Sequence, residues 1–215
     1  WKYNLFVNGF MTNRKIVLFG GTFDPIHLGH TAVASIAGEY TGAEKIIFIP
    51  AKCSPLKHFL PKAGDDDRLN MIALAIKGNE NFELSDCELK QPELSYTLET
   101  VKKFQKRCGR ETMLYWLVGA DSINDLQYWY RITELIDQCN LSVMYRAGFD
   151  APDFGRFVGI WGAQRIKKLQ QNIIPTPLID ISSTEIRKRL ASGLDISDMV
   201  APAVADYIYQ HGLYR

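Results

Sequence analysis

Six short apolar segments punctuate this chain: Ile16–Phe19, Ile46–Ile49, Phe82–Leu84, Leu114–Val118, Leu141–Tyr145 and Leu178–Ile181. Most are continuously apolar rather than alternating, which suits strands buried on both faces of a parallel sheet. Between them run stripes with helical spacing. Val33, Ile36, Ala37 and Tyr40 share one face, as do Leu69, Ile72, Ala73 and Ile76. Leu98, Val101 and Phe104 form a third stripe, and Ile132, Leu135 and Ile136 a fourth. Two helices close the chain. The first begins with Ser182 and Glu185 in capping-box spacing and has Gly193 placed to end it. The second runs from about Pro202 and stops before Gly212.

Alternating strand and helix predict an α/β chain of doubly wound, Rossmann-like architecture: a mostly parallel sheet, helices on both faces and a small C-terminal helical part. A length of 215 residues suits one domain with a full hydrophobic core. That domain is expected over residues 11–215, with a variable excursion around 147–177 where glycines and prolines break the pattern. Residues 1–10, ahead of Met11, read as an N-terminal extension or an artificial leader; WKYNLFVNGF has neither the cationic start nor the apolar stretch of a signal peptide. No apolar run reaches membrane-spanning length. A net charge of +1 argues against whole-molecule attraction to nucleic acid or an anionic membrane. Cys53, Cys87, Cys108 and Cys139 lack the close spacing of a zinc knuckle or redox dithiol, so free thiols, a reducing cytoplasmic setting and no protein-built metal centre are expected. Asp65–Asp66–Asp67 reads as a solvated stretch that favours a following helix N-terminus.

Ligands of an open parallel sheet bind beyond the carboxyl ends of its strands, and the unusual residues gather at those ends. GGTFDPIHLGH follows the first strand, PAKCSPLKH the second, GADS the fourth, Arg146 the fifth and SSTEIRKR the sixth. In the first of these loops, Gly20, Gly21 and Gly29 remove side chains from the path of a ligand. The helix start behind them offers unpaired N–H groups and a positive dipole end, a ready phosphate site. His27 and His30, three apart, can face a common side and become cationic if a phosphate stabilises the proton. Ser182, Ser183 and Thr184 open another helix on the same edge, and Arg187 can add a planar cationic fork. Lys52 and Lys57 would supply further cations above the second strand, and Asp121 a carboxylate for ribose hydroxyls or a metal shell. Trp129 and Tyr130 could stack on a flat heterocycle, although aromatics near a helix are more often core. Neither GxxxxGK[ST] nor GxGxxG occurs, so the chain is neither a P-loop protein nor a typical dinucleotide-binding dehydrogenase.

His27–Leu28–Gly29–His30 together with the run from Ser182 or Ser183 to Arg187 resembles the two signatures of the nucleotidylyltransferase superfamily. RLNMIALAI, SYTLET, GADS followed by WYR, and the terminal HGLYR are similar to stretches of bacterial nicotinate-nucleotide adenylyltransferases, in order from about Lys15 to Arg215. The resemblance implies transfer of the adenylyl group of ATP to nicotinate mononucleotide, with Mg²⁺, giving nicotinate adenine dinucleotide and pyrophosphate in NAD biosynthesis. It implies catalytic roles for His27, His30 and Arg187. It implies an ATP site of Gly20, Gly21, Thr22, Phe23, His27, Gly29, His30, Gly119, Asp121, Ser183, Thr184 and Arg187. For the second substrate it implies Lys57, Thr97, Trp129, Tyr130 and Arg146. The chain departs from the family at Cys53 and at Ala147 after Arg146.

That chemistry suits the residues. The attacking phosphomonoester has its second pKa near about 6, so it is already largely ionised at neutral pH and needs no general base. Positioning and charge stabilisation then carry the transfer. The expected partners are ATP and nicotinate mononucleotide, with no nucleic acid and no membrane; a homo-oligomer is allowed. The alternatives are another small-molecule nucleotidylyltransferase of the superfamily or a non-catalytic nucleotide-binding module.

Overall fold

The computed structural model describes residues 14–53, 60–91, 94–146, 152–177 and 179–215, with the backbone alone at Asp121 and Arg146. Six strands form one sheet: β1 (Lys15–Gly21), β2 (Lys45–Pro50), β3 (Phe82–Leu84), β4 (Met113–Gly119), β5 (Asn140–Arg146) and β6 (Ile173–Thr176). Their spatial order is β3-β2-β1-β4-β5-β6, and every neighbouring pair is parallel. The helices are α1 (Leu28–Thr41), α2 (Asp65–Ile76), α3 (Thr97–Cys108), α4 (Ile132–Gln138), α5 (Val158–Trp161), α6 (Ala163–Gln170), α7 (Ser183–Ala191) and α8 (Pro202–Gln210). The doubly wound expectation is met.

The two-residue period of the strands divides the core. Ile16 and Leu18 of β1 face α3, α4 and α6, beside Leu98, Phe104, Ile136 and Ile166. Val17 and Phe19 face α1, α2, α7 and α8, beside Ala37, Ile72, Ile186 and Val204. Each of these side chains larger than alanine, removed fully from water, contributes about 1.5–3 kcal/mol before chain entropy is counted. Gly42 ends α1 at φ 67° with its N–H on the Glu39 and Gly38 carbonyls. Pro202 starts α8 at a position where no amide hydrogen is needed, and Gly193 follows α7 at φ 69°, both as expected.

The sixth strand lies elsewhere than expected. Leu178 is outside the described residues, and Ile179–Ile181 form no strand. The strand is Ile173–Thr176, registered so that Val143 opposes Ile173 and Arg146 opposes Thr176. Pro175 disguised it. A proline removes a ladder donor, but β6 is an edge strand and Pro175 stands on its exposed side while Ile174 and Thr176 are buried. The excursion expected over 147–177 therefore holds this strand as well as α5 and α6. The aspartate triplet is the first turn of α2, placed where its charge meets the positive end of the helix.

The chain winds outward from β1 to β3 and then returns to place β4 against the other side of β1. This reversal opens a crevice beyond the carboxyl ends of β1 and β4, where the sheet's connections leave in opposite directions.

Candidate active site

Two cavities meet at that crevice and share Phe19, Gly20, Gly21, Thr22 and Gly119 as a common wall. The larger, about 1180 Å³, lies toward α1 and α7. It is lined by Gly20, Gly21, Thr22, Phe23, His27, Gly29, His30, Gly119, Ser183, Thr184 and Arg187. The structure thus brings together at one cavity every residue expected of the ATP site except Asp121, whose backbone follows Ala120 of the same wall. The smaller cavity, about 630 Å³, is lined by Thr97, Trp129 and Tyr130 together with Trp116, Tyr96, Ser95 and Glu88. Arg146 ends β5 on the same edge of the sheet. Lys57 lies outside the described residues.

His27 precedes α1 as its N-cap in extended backbone, and His30 occupies the third helical position. Their rings stack with centroids 3.6 Å apart, and the His27 amide donates to Nδ1 of His30 at 3.2 Å. His27 is buried, and its Nδ1 meets no hydrogen-bond partner among the described residues. Burial pushes this imidazole down to about 4, so it is neutral near pH 7 unless an anion shares the pocket. The pair faces one side, as its spacing predicts.

Gly20 and Gly21 have a packing reason beside the one the sequence suggested. A Cβ on Gly20 would stand 2.2 Å from Cζ2 of Trp116, and one on Gly21 would stand 2.8 Å from Cζ of Phe23. Their first duty is to admit these two aromatic rings against the β1 backbone. Phe23 itself holds φ 49°, a left-handed conformation rarely taken by an aromatic residue, and is fully buried beneath His30 with ring centroids 5.0 Å apart.

Helix α7 is tied to the first loop across the crevice. Ser182 caps it, accepting the Glu185 amide at 3.2 Å, while the Ser183 hydroxyl donates to the Pro25 carbonyl at 2.9 Å. Arg187 donates to the Asp24 carbonyl at 2.7 Å and to the Thr184 hydroxyl at 3.3 Å. Other parts of this scaffold carry little local sequence signal. Arg68 is wholly buried at 0% exposure, donating to the Thr22 carbonyl at 2.8 Å, the Ala51 carbonyl at 2.9 Å and the Asp65 carboxylate at 2.7 Å. Asp65 also accepts from Lys52 at 2.6 Å, so Lys52 is paired rather than free above the second strand. Desolvation would raise the Asp65 carboxyl, but Lys52 and Arg68 hold it below the usual carboxylate range. A cation directly preceding the apolar stripe of α2 was the one hint that Arg68 faces inward.

In the smaller cavity, Tyr96 and Tyr130 lean together with centroids 4.7 Å apart, and Trp129 packs half-buried against the core. Glu88, unremarked in the sequence, is buried and accepts the Thr100 hydroxyl at 2.6 Å. Burial raises its carboxyl, outweighing the hydrogen bonds from Thr100 and Ser95. Among the described residues no helix is long and apolar enough to cross a membrane.

The cytidylyltransferase-like family model matches residues 18–189. A probable nicotinate-nucleotide adenylyltransferase of Rhodopirellula baltica is 35% identical over 204 residues, covering 95% of each chain. Its counterpart in Clostridium tetani is 37% identical, covering 94% of this chain and all of the relative. Plasmodium falciparum nicotinic acid mononucleotide adenylyltransferase, solved in complex with NaAD, superposes with a TM-score of 0.73 at 25% identity, over 94% of this chain and 97% of that one. The chain belongs to the nicotinate-nucleotide adenylyltransferases, within the cytidylyltransferase-like family.

Proposed function

We propose that the protein joins ATP and nicotinate mononucleotide, releasing pyrophosphate and nicotinate adenine dinucleotide. The observation that carries this reading is the pair of cavities with one shared wall: phosphate-binding groups line one, aromatic rings the other, and a bond between two nucleotides would form where they meet. The relatives' names and the NaAD complex of the Plasmodium enzyme support the same substrates.

In this reading the triphosphate lies over Gly20–Thr22, with α1 and α7 presenting their N-termini and Arg187 its guanidinium. His27 and His30 donate to the oxygens around the α-phosphorus, and the anion restores the proton that burial withholds from His27. The 5′-phosphate of the mononucleotide attacks the α-phosphorus, its new P–O bond forms as the α–β P–O bond breaks, and the electron pair leaves with pyrophosphate. Asp121 helps place the nucleotide, and Lys57 adds charge near the phosphates. The pyridine ring enters the smaller cavity between Trp129, Tyr130 and Tyr96, with its carboxylate toward the backbone N–H groups near Thr97 and Tyr130 and toward Arg146.

The described residues contain no cluster of three or more histidine, cysteine or carboxylate side chains suited to a metal ion. A magnesium ion arriving with ATP would be held mainly by the substrate phosphates, as is usual for this cation. When bound, Mg²⁺ neutralises charge on the departing pyrophosphate.

The test is a pyrophosphate-release assay comparing kcat/KM for nicotinate and nicotinamide mononucleotide, with phosphopantetheine and sugar phosphates as controls. The acid is expected to lead, because the amide leaves the carboxylate site poorly paired. A ratio near unity refutes acid selectivity, and turnover only with a control substrate refutes the assignment. The His30→Ala variant is expected to lose about a hundredfold or more in kcat; near-normal turnover by a folded variant removes His30 from the mechanism.

A further inference from the structure

Asp24 is a second centre of the site, hidden under the first loop at 5% exposure. Its Oδ2 accepts the Lys62 amide at 2.7 Å, and its Oδ1 accepts the Ala63 amide at 3.0 Å and the Tyr214 hydroxyl at 2.7 Å. Arg187 stands only loosely by the carboxylate, at 4.0 Å from Oδ2, because its close bond goes to the Asp24 backbone carbonyl. The partner furthest along the chain is Tyr214, 190 positions away. Left-handed backbone at Gly212 and Tyr214, φ 62° and 64°, turns the chain end back under the loop after α8.

The arrangement has a consequence for Arg187. A buried carboxylate draws in whatever donors it can reach. Three neutral donors already surround this one, so the guanidinium is not pulled onto it and keeps its charge directed to the larger cavity. We infer that Tyr214 is a positioning residue for adenylyl transfer, whose hydroxyl satisfies Asp24 and thereby leaves Arg187 available to the phosphates of ATP. This rests on the ATP reading above and deepens it: Tyr214 touches no substrate and acts only through Asp24 and Arg187.

Without the hydroxyl, Oδ1 retains a single donor in a space nearly closed to water. Arg187, whose guanidinium stands 4.0 Å from the neighbouring Oδ2, is the cation at hand; it then swings onto the under-satisfied carboxylate and withdraws from the cavity. The Tyr214→Phe variant is therefore expected to raise KM for ATP about ten- to a hundredfold, the scale of losing a hydrogen bond to a charged group. KM for nicotinate mononucleotide should move less than about twofold, since the smaller cavity lies across the shared wall. A purely structural role would instead shift both constants together or neither.

The experiment measures both constants, and ATP affinity by calorimetry, for wild type, Tyr214→Phe, Arg187→Ala and the double variant. Because Tyr214 acts through Arg187, adding Tyr214→Phe to Arg187→Ala should weaken ATP binding no further. Additive losses overturn the proposal, as does an unchanged KM for ATP in Tyr214→Phe. If Tyr214→Phe fails to fold, Tyr214→Lys, which keeps a donor at nearly the same reach, should fold and restore ATP affinity to within about threefold of wild type; a folded Tyr214→Lys that binds ATP as weakly as Arg187→Ala overturns it. Wild type that binds no ATP overturns the adenylyl-transfer reading and this inference with it, whereas ATP binding indifferent to Tyr214 overturns the inference alone.

Discussion

Substituting Gly20 by alanine asks whether the glycine serves the ligand or the protein's own packing. The added Cβ would lie 2.2 Å from Cζ2 and 2.7 Å from Cη2 of Trp116, inside any tolerable contact. Neither backbone can yield, because β1 and β4 are laddered together with Leu18 opposite Trp116. The buried indole must move. Overpacking of this kind costs about 1–3 kcal/mol, and a rigid ring places it near the upper end. The backbone angle at Gly20 is not left-handed, so alanine regains about 0.4–1 kcal/mol by restricting the unfolded chain. The net expectation is a loss of about 2 kcal/mol, seen in urea titration, and a melting point about 4–8 °C lower for a chain of this size. Trp116→Phe removes the clashing atoms, so the double variant should show a favourable coupling of at least about 1 kcal/mol. Trp116 lines the smaller cavity, so KM for the mononucleotide should rise while KM for ATP holds. Wild-type stability with a raised KM for ATP would refute the packing argument and return Gly20 to ligand clearance.

Acid should destabilise the fold through His27. Its imidazole is held down to about 4, against an ordinary 6.5, because burial disfavours the charged form. Between those values the unfolded chain binds a proton that the folded chain refuses, so stability is full above about pH 6.5 and falls as pH drops toward 4. The contribution is about 3 kcal/mol at its limit. Urea midpoints of wild type and His27→Gln, compared at about pH 7 and about pH 5, should show the smaller acid loss in the variant; equal losses would contradict a neutral, buried His27. Glu88→Ala strands the hydroxyls of Thr100 and Ser95, costing about 2 kcal/mol, and loosens the wall carrying Thr97. KM for the mononucleotide should rise, with Glu88→Gln recovering most of the stability in the same denaturation assay; a Gln variant as weak as Ala would show that the side-chain oxygen is not the anchor.

What could be read from the sequence was whatever a local period or a strand end encodes. The central strands β1, β2, β4 and β5 announced themselves because burial on both faces demands largely apolar runs, whereas β3, at the sheet edge, showed only as Phe82 and Leu84 either side of an exposed Glu83. The position of His27, His30, Ser183 and Arg187 at one crevice followed from parallel topology alone, since every polar loop after a parallel strand leaves from the same edge. β6 was misplaced because an edge strand tolerates Pro175, and the short α5 offers no periodic face, with Ile160 exposed and glycines on either side. Asp24, Arg68 and Tyr214 were illegible as partners for another reason. Their bonds reach across as many as 46 positions for Arg68 and 190 for Asp24 and Tyr214, and nothing in local spacing records such a pairing.

Those long-range bonds divide the site's cations by duty. Arg68 donates to the carbonyls of Thr22 and Ala51, one in each of the first two loops, and has no exposed surface. Breaking such a buried, paired charge costs about 3–5 kcal/mol, so it holds the loops and is not spared for substrate. Lys52 and Asp65 are both more than a third exposed, and a pair of that kind is worth about 0–1 kcal/mol. An arriving polyanion can therefore redirect Lys52 at little cost while Arg68 stays fixed beneath it. Arg187 stands between these extremes, anchored through the Asp24 carbonyl yet only loosely held by the Asp24 carboxylate. The first loop is thus rigid from below and adjustable from above, which is what a reaction driven by alignment of two polyanions requires.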